Sequence, residues 1–527
     1  MPKPRQSIIQ VPFPAGGEKR RRNYRDPENL STTSRAINVR SNGSLENRSR
    51  GGSRPGLKKF IDNDFGTNIT GMSSVTYLDG DGNRQQDLAI IADGTLSIVQ
   101  SGVVTEAKAY LSINGNKLTI NGDYLVFNSS VSATNPLGDS DAFQMAEWNG
   151  KLYIADSTLR RYSPSTGQVN TVDNAPTGQP LVCIYQERIV LSGSDHMFYI
   201  SAQADGTNWT ADGDMNNMGR PTMGRVGEAG VIGEKILALH NYKDEALIFG
   251  CLDSVWVLYG NPVDNGSKKQ CVSPFSGIIS HQAMAATPNG LVFFLTRAGL
   301  YSWQVGSQAE PAPFSPFAIP EELLDVDTST TDVLMEYDHR SRGVHLFLTP
   351  HTGVGSHWWI SLDNKAFWAV KLNAVHQPLS TAVISRGDFS NVLLGCSDGY
   401  IRVFDDDETT DDSEDLNSHL ILGPFQVSGD GYDGLLNEIV SAVADDSGTL
   451  KFSIYTGETA EEAVDDAYAA ITTALAGTPP SREETLRGRA YPRVRGPWAT
   501  IYISSDDAWA FESMQLFVKR TGRHRDG

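Results

Sequence analysis

A recurring pattern of paired apolar runs is the feature that most limits what this chain can fold into. Each instance has an apolar run, a tight polar turn and a second apolar run, and seven instances lie between residues 61 and 404. The runs are rich in β-branched and aromatic residues and the turns use Asp, Gly, Ser and Asn, which together predict β-hairpins. The seven segments are DLAIIADGTLSIV, KLYIADSTLRRYS, RIVLSGSDHMFYIS, ALIFGCLDSVWVLYG, LVFFLTRAGLYSW, HWWISLDNKAFWAV and VLLGCSDGYIRVF.

The spacing of these hairpins favours a β-propeller. The intervals between successive turns are 63, 39, 58, 45, 65 and 35 residues, measured at Asp93, Asp156, Asp195, Asp253, Ala298, Asp363 and Asp398. These values centre near the roughly 40–60 residues of one propeller blade. Radial closure also leaves few exposed sheet edges. We therefore predict a mainly β fold with a propeller of six or seven irregular blades over residues 61–404. A pair of β-sandwiches is the alternative.

Charge is distributed unevenly along the 527 residues. Residues 1–60 hold 14 Lys and Arg against 4 Asp and Glu, whereas residues 61–481 carry a net charge of −32. The first 60 residues lack a sustained hydrophobic period, and Gly51-Gly52 and Pro55-Gly56 break regular elements, so we predict a basic, extended N-terminal arm that can bend at these positions. The arm residues expected to make contacts are Arg20, Arg21, Arg22, Arg40, Arg48, Arg50, Arg54, Lys58 and Lys59.

A block of acids marks the next predicted boundary. DDDETTDDSED, residues 405–415, has eight acids in eleven positions and is expected to be a solvated linker or surface loop. Residues 416–527 then alternate strand-like runs with one predicted helix, 459–477, which starts with acids and ends at Gly477. We predict a smaller β-rich C-terminal domain carrying this helix.

The sequence offers few candidates for chemistry. It contains no phosphate-binding glycine loop, G-x-S-x-G or H-E-x-x-H motif, and its four cysteines are too widely spaced for a C-x-x-C site. The tryptophan pair Trp358-Trp359 could stack a sugar but is predicted to be blade core. No apolar run reaches the roughly 20 residues of a membrane span, and no secretory signal is visible, so synthesis and folding in a cytoplasm are expected.

One loop has oxygen ligands at alternate positions. In DGDGNRQQD, residues 79–87, the side chains of Asp79, Asp81, Asn83 and Asp87 occupy positions 1, 3, 5 and 9, as in loops that wrap Ca²⁺. Gly82 stands at position 4, two positions before the glycine that usually forms the sharp turn of such a loop. A calcium loop and a plain hairpin turn therefore both remain open.

Several stretches resemble the tail nozzle proteins of short-tailed bacteriophages, also called tail tubular protein B or packaged-DNA stabilisation protein. They are VPFPAGG, AINVRSNGSLENRSRGGSRPGLKKF, ILALHNYKDEALIFGCLDSVWVLYGNP, GIISHQAMAATPNGLVFFLTRAGLYSW and RGRAYPRVRGPWATIYIS with WAFESMQLFVKRTGRHR. Together they cover about a third of the chain and are spread from end to end.

The resemblance implies a structural virion protein with neither catalytic residues nor a cofactor. It would form a ring, expected to be a homohexamer, below the portal and the tail adaptor protein, with tail fibre or needle proteins nearby. Genomic DNA would be retained in the lumen and conducted during ejection, without sequence-specific binding. The location would be the virion tail after synthesis in the host cytoplasm.

The charge pattern suits such a tube. An acidic lumen repels phosphate, and the basic arm could fasten one subunit to an acidic neighbour or to the adaptor through Arg–carboxylate pairs. On this hypothesis, removal of residues 1–50 leaves a folded monomer that does not assemble. Binding of the arm to DNA is the rival interpretation. Two other classes stay open: a carbohydrate-binding or carbohydrate-hydrolysing propeller of the tail, and a propeller scaffold for protein partners.

Overall fold

The fold consists almost entirely of β-strands. The structure is a computed structural model, which describes residues 6–19, 30–43, 49–107, 112–113, 116–117, 119–120, 123–124, 143–210, 216–228, 231–315, 320–386, 389–428, 432–472, 480–486 and 488–523. Within these ranges the chain has 44 strands and one α-helix. None of the described residues belongs to a helix with the length and hydropathy needed to cross a membrane.

Five strands precede the first blade. They are β1 (Gln6–Pro12), β2 (Ala36–Ile37), β3 (Val39–Gly43), β4 (Ser49–Ser53) and β5 (Gly56–Lys59). β1, β2, β4 and β5 each pair with strands that come hundreds of residues later in the chain, and β3 pairs with β4.

The first half of the propeller consists of three antiparallel four-stranded blades. Blade 1 is β6 (Ile69–Leu78), β7 (Arg84–Ala92), β8 (Thr95–Gln100) and β9 (Val103–Glu106). Two short hairpins follow, β10 (Ser112–Ile113) with β11 (Asn116–Lys117) and β12 (Thr119–Ile120) with β13 (Asp123–Tyr124). Blade 2 is β14 (Gln144–Trp148), β15 (Lys151–Ala155), β16 (Leu159–Ser163) and β17 (Gln168–Thr171). Blade 3 is β18 (Leu181–Tyr185), β19 (Arg188–Ser192), β20 (Met197–Ile200) and β21 (Thr222–Arg225).

Three further blades and one shared unit complete the circle. Blade 4 is β22 (Ala238–Tyr242), β23 (Ala246–Gly250), β24 (Val255–Tyr259) and β25 (Lys268–Ser273). Blade 5 is β26 (Met284–Ala286), β27 (Leu291–Thr296), β28 (Gly299–Gln304) and β29 (Ala312–Pro313). The shared blade is β30 (Thr331–Asp338), β31 (Gly343–Pro350), β32 (Ser356–Ser361) and β33 (Ala366–Val370). Blade 6 is β34 (Pro378–Arg386), β35 (Phe389–Cys396) and β36 (Ile401–Asp405), with β5 as its fourth strand.

Hydrophobic clusters between neighbouring blades hold the ring together. The innermost strands lie side by side in the order β34, β6, β14, β18 and β22, and again in the order β26, β30 and β34. Blades 4 and 5 share a core that includes Ile248 and Phe293. Ile90 of blade 1 and Leu393 of blade 6 belong to one cluster, so the ring is closed. The predicted propeller of six or seven blades is confirmed: six blades form sheets of their own, and the shared blade belongs to a larger sheet.

Packing on both faces explains the composition of the strands. A strand between two blades is buried on both sides, and it therefore reads as a continuous apolar run instead of an alternating one. All five residues of β23 are buried. Trp358 and Trp359, at 2% and 3% exposure, are blade core as predicted.

The remaining strands form the second part of the fold, which we call the platform. They are β37 (Ser418–Gln426), β38 (Tyr432–Val443), β39 (Lys451–Gly457), β40 (Arg482–Thr485), β41 (Arg489–Ala490), β42 (Val494–Gly496), β43 (Trp498–Ser505) and β44 (Ala510–Arg523). One nine-stranded sheet continues from the shared blade in the order β30-β31-β32-β33-β2-β37-β43-β39-β40. A seven-stranded sheet has the order β3-β4-β44-β38-β41, with β1 also on β44 and β42 also on β38.

The predicted helix is present as α1 (Ala460–Thr472), which packs on β37, β39 and β43. Glu461 and Glu462 lie in its first turn, where carboxylates interact favourably with the helix dipole. The C-terminal part of the predicted span, 473–477, lies outside the described residues.

The N-terminal arm is more ordered than the sequence suggested. β1 pairs along its whole length with β44, from Gln6 opposite Lys519 to Pro12 opposite Ser513. β4 pairs with the start of the same strand. The arm therefore supplies strands to the platform. The expectation that removal of residues 1–50 leaves a folded monomer needs correction, because the deletion takes β1, β2 and β3 out of their sheets.

Glycines in the arm serve close packing instead of bending. A Cβ at Gly52 would lie 1.9 Å from the carbonyl oxygen of Trp509. A Cβ at Gly56 would lie 2.2 Å from the carbonyl oxygen of Thr410. Real atoms do not approach this closely, so the absence of a side chain lets β4 and β5 reach their partners.

We predict that Gly52→Ala destabilises the protein by about 1–3 kcal/mol or more, because the new methyl group forces the β4 and β44 backbones apart. Gly80→Ala is the matched control, since a Cβ at this turn glycine meets no atom within 4 Å. Denaturant unfolding of both variants measures the difference. Equal stability of the two variants would contradict the close approach.

Candidate functional site

The basic end of the arm meets the acidic segment of its own chain at blade 6. β5 pairs antiparallel with β36, and Lys58 lies opposite Val403 in the register. On its other side, the backbone N–H groups of Gly56 and Leu57 donate to the carbonyls of Glu408 and Thr410, both at 3.0 Å. We call residues 54–59 with residues 398–412 the closure seam.

Arg54 is the central cation of the closure seam. It is 3% exposed, and its Nη1 and Nη2 donate to Oδ1 and Oδ2 of Asp411 at 2.9 and 2.5 Å. Its Nε donates to Asn38 at 2.9 Å, and the carbonyls of Pro55 and Lys371 accept the remaining two N–H groups. All five guanidinium donors thus have acceptors, which is what a buried arginine requires.

The two lysines of β5 pair with acids at the edge of the closure seam. Lys58 Nζ lies 2.5 Å from Asp405 Oδ2, and this hydrogen bond raises the pKa of Lys58. Lys59 Nζ lies 3.9 Å from Asp412 Oδ2 and 3.8 Å from the centre of the Tyr400 ring, a cation–π position.

A second buried cation of the closure seam, Arg402, was not among the residues predicted from the sequence. It is 2% exposed and forms a bidentate pair with Asp398, with both distances at 2.7 Å. Its Nη2 also donates to Asp412 at 2.8 Å. Despite burial, these hydrogen bonds raise the pKa of Arg402 and hold that of Asp398 below its usual value. The available signal was a charged residue inside the apolar run IRVF, four positions after an acid.

The acidic segment 405–415 has six exposed residues, as expected of a surface loop, but it is anchored in the fold at Asp411. Asp411 is 4% exposed, and its Oδ1 also accepts the Leu57 N–H at 3.2 Å. Asp406 pairs with Arg340 of the shared blade at 2.7 Å. The segment holds the arm against blade 6 and the shared blade, because its carboxylates pair with Arg54 and Lys58 of the arm and with Arg340 of the shared blade.

Among the other predicted arm residues, Arg40 also reaches the acidic segment, with its Nη2 3.8 Å from Asp406 Oδ1. Arg40 is 8% exposed and stacks 5.0 Å above the Trp359 ring, where burial lowers its pKa to about 10. Arg50 Nε lies 3.8 Å from Glu512 on β44. Arg20, Arg21, Arg22 and Arg48 lie outside the described residues. The structure thus brings Arg40, Arg54, Lys58 and Lys59 to the acidic segment of their own chain.

The candidate calcium loop does not gather its four side chains. Asp79 Oδ1 accepts the backbone N–H groups of Asp81 and Asn83 at 3.0 and 2.8 Å, and its Oδ2 accepts Gln85 Nε2 at 2.8 Å. Asp87 lies three residues into β7 beyond Arg84, about 10 Å along the strand, and it accepts the Tyr77 hydroxyl at 2.8 Å. Asp79 thus accepts hydrogen bonds within the turn between β6 and β7, whereas Asp87 accepts one from Tyr77 of β6.

Within the part of the chain that the structure describes, no group of three or more His, Cys, Asp or Glu side chains is placed to hold a metal ion. Cys183, Cys251 and Cys396 are buried free thiols. Burial raises the pKa of Cys251 and of Cys396 to about 12, so both stay protonated and act as small hydrophobic residues.

A polar cluster lies between the shared blade and blade 6. Glu336 of β30 lies directly opposite His345 of β31 and bonds to Thr381 of β34. Burial raises the pKa of Glu336 to about 7. His345, 2% exposed, stacks on Phe404 at 4.9 Å, and burial lowers its pKa, so it faces Glu336 as a neutral ring.

We predict that Arg54→Ala lowers the free energy of unfolding by about 3–5 kcal/mol, because Asp411 is left as a buried, unpaired charge. Arg297→Ala is the matched control. Arg297 lies 3.7 Å from Asp253 and 3.5 Å from Asp325, and all three side chains are more than half exposed, so each pair contributes at most about 1 kcal/mol. Chemical denaturation compares the two. If Arg54→Ala lowers the free energy of unfolding no more than Arg297→Ala does, the structural role of the closure seam is contradicted.

Glu336 makes stability depend on pH in a definite direction. The folded protein holds this proton more tightly than the unfolded chain, whose carboxyl titrates near 4.5. The stabilisation is therefore complete below about pH 4.5 and is lost as the pH rises through about 7. We expect the melting temperature of the wild type to fall relative to that of Glu336→Gln between about pH 5 and pH 8. If the melting temperatures of the wild type and of Glu336→Gln changed equally with pH over this range, the raised pKa of Glu336 would be contradicted.

Comparison with known proteins indicates only distant likeness. No protein-family model matches the chain, and no curated protein matches it. Among solved structures, a chain of the mitotic checkpoint complex aligns at 10% identity and a TM-score of 0.37, covering 67% of this chain and 94% of that one. The structure of U3-55K aligns at 10% identity and a TM-score of 0.37, covering 66% of this chain and 99% of that one. The extracellular domain of the putative hybrid two component system BT3049 from B. thetaiotaomicron aligns at 11% identity and a TM-score of 0.40, covering 75% of this chain and 46% of that one. At such scores these likenesses say nothing about what this chain binds or does.

Proposed function

We propose that this protein is a structural subunit of the tail nozzle of a short-tailed bacteriophage, which assembles into a ring that retains and conducts DNA. One observation carries the proposal. Three stretches that resemble the nozzle family are far apart in the sequence but meet around residues 510–514. Val11 pairs with Met514, and Gly51 pairs with Phe511.

These three stretches also depend on each other sterically. The Phe13 ring fills the space where a Cβ of Gly51 would lie, at 2.1 Å. The backbone N–H of Phe13 donates to the carbonyl of Glu512 at 3.0 Å. Residues that fit together in this way form one structural unit, which supports reading the scattered resemblance as a single feature.

The charge of the chain suits a DNA conduit. With a formal charge of −19, six copies would form a strongly acidic ring. An acidic wall repels phosphate at close range, while salt screens the repulsion beyond about 8 Å. Such a wall lets DNA pass without adhering, since stable binding needs Lys and Arg to displace counterions.

On this proposal, Arg20, Arg21 and Arg22 contact a neighbouring copy or the tail adaptor protein. The cations of the closure seam already have carboxylate partners in their own chain, so we assign the contact to other arginines of the arm. Glu18 on one side of them forms a bridge with Thr33 on the other. A heterologous contact of this kind closes a ring when its rotation permits.

We expect the purified full-length protein, alone or with the adaptor, to form a ring with a central bore, visible by mass photometry and electron microscopy. The triple variant Arg20→Glu, Arg21→Glu, Arg22→Glu should stay folded with an unchanged melting temperature, yet fail to assemble. The matched control, Lys235→Glu, Lys243→Glu, Lys268→Glu, makes the same charge change at exposed positions of other segments and should still assemble.

A monomer under all these conditions would contradict the nozzle role. Normal assembly of the arginine variant would contradict the assigned contact while leaving the ring intact. If the arginines instead bind DNA, wild-type affinity for a duplex falls steeply with salt and the triple variant loses it.

A further inference from the structure

Exposed apolar side chains collect at one end of the propeller. In an antiparallel four-stranded blade, the loop between the second and third strands lies at the same end as the loop that leads to the next blade. Such loops of blades 3 to 5 carry five exposed apolar residues, which we call the apolar face. They are Val231 (57% exposed), Ile232 (85%), Leu252 (39%), Phe275 (89%) and Leu324 (44%).

The loop of Leu252 contacts its neighbouring loop on each side. On the blade 3 side, Glu234 Oε2 accepts the backbone N–H of Asp253 at 3.2 Å. On the blade 5 side, the carbonyl of Cys251 accepts the backbone N–H of Ile278 at 2.8 Å. In each of these three loops, an apolar residue of the face lies within three positions of an atom in these bonds. The side chains of the face on blades 3 to 5 are therefore neighbours.

The loop of Leu324 is joined to the others through Arg297. The guanidinium of Arg297 lies 3.7 Å from Asp253 and 3.5 Å from Asp325, and its carbonyl accepts the backbone N–H of Asp325 at 2.8 Å. Asp325 directly follows Leu324. Single apolar residues at a surface are normal, but a continuous exposed patch with a polar rim marks a site of interaction.

Acidic side chains surround the apolar face. The described exposed residues of these loops and of the Arg297 turn include six acids and two bases, a net charge of −4. They are Glu228, Glu234, Asp253, Glu321, Asp325 and Asp327, with Lys235 and Arg297. Such a rim repels the phosphates of nucleic acid and of anionic lipid surfaces. It attracts a protein segment that combines cationic and apolar side chains.

The chain itself contains a segment with this chemistry. Residues 20–25, RRRNYR, hold four arginines and one tyrosine, and they lie outside the described residues. Arg and Tyr are among the residue types that contribute most to binding at interfaces, and the guanidinium fork matches a carboxylate in a bidentate pair. Six residues in extended form span about 20 Å, enough to place several cations and one aromatic ring on a face of several loops.

We propose that residues 20–25 of one copy bind the apolar face of a neighbouring copy. The arginines pair with the acids around the face, and Tyr24 packs on its apolar side chains. Segment and face are different parts of the surface, so the contact is heterologous and can repeat from copy to copy around a ring. This contact rests on the proposed function, which assigns Arg20, Arg21 and Arg22 to assembly, and the apolar face is the surface that receives them.

The test uses a fluorescently labelled peptide of residues 19–25, KRRRNYR. Its receptor is the full-length triple variant Arg20→Glu, Arg21→Glu, Arg22→Glu, whose own segment cannot compete, and an anisotropy titration measures the affinity. Adding Ile232→Ser and Phe275→Ser to the receptor should weaken binding about tenfold or more, a loss typical of truncated central interface residues. In the otherwise wild-type protein, the same pair should prevent assembly and leave the melting temperature unchanged, because both side chains are exposed.

The pair Leu78→Ser and Val103→Ser is the matched control. Both residues are exposed, at 70% and 65%, and they lie at the other end of the propeller, since Leu78 ends the first strand of blade 1 and Val103 begins the fourth. Neither pair changes the charge of the receptor, so unspecific attraction between a basic peptide and an acidic protein affects both equally. The control pair should bind the peptide and assemble as the protein without these substitutions does.

The proposal is overturned if the peptide does not bind, or if it binds both serine pairs equally well. If the wild type forms rings and the pair Ile232→Ser, Phe275→Ser still assembles, the receiving surface lies elsewhere, although the nozzle role stands. If no ring forms while peptide binding depends on the apolar face, the nozzle role fails and the contact stands. A monomeric wild type that binds the peptide far more weakly than the triple variant would show that the segment covers the face of its own chain, which overturns the contact between copies.

Discussion

The closure of the propeller by an N-terminal strand is the constraint on which the rest of the structure depends. A ring of blades has no edges only if the last blade is complete, and here its fourth strand, β5, comes from residues 56–59. This strand carries two lysines and follows a buried arginine, and it enters a site with acids on both sides. A buried ion pair adds little net stability compared with apolar residues, but losing one partner is costly. We infer that the closure seam mainly selects the register of β5, since a shifted strand would leave Arg54 or Asp411 unpaired.

Local patterns were sufficient to predict the blades. Hairpins such as β7–β8 and β27–β28 are formed by neighbours in sequence, and their apolar runs reflect burial between adjacent blades, so composition and turn residues were informative. The partner of the arm could not be predicted this way. Leu57 and Phe404 are paired across almost 350 residues, and nothing local distinguishes an acid on the same chain from one on a neighbour. The same limit applies to Gly52, whose role depends on Trp509.

The DGDGNRQQD loop shows why spacing alone overestimates a site. Alternate residues share a face only while the backbone stays regular, and the hairpin reverses direction after Leu78. Asp79 therefore stays in the turn, where it accepts hydrogen bonds from its own loop, while Asp87 lies further along β7 on the face that packs against blade 2. Sequence could identify Asp87 as an unusual acid beside an apolar run. The position of Tyr77, the partner that fixes its carboxylate, followed only from the register of β6 and β7.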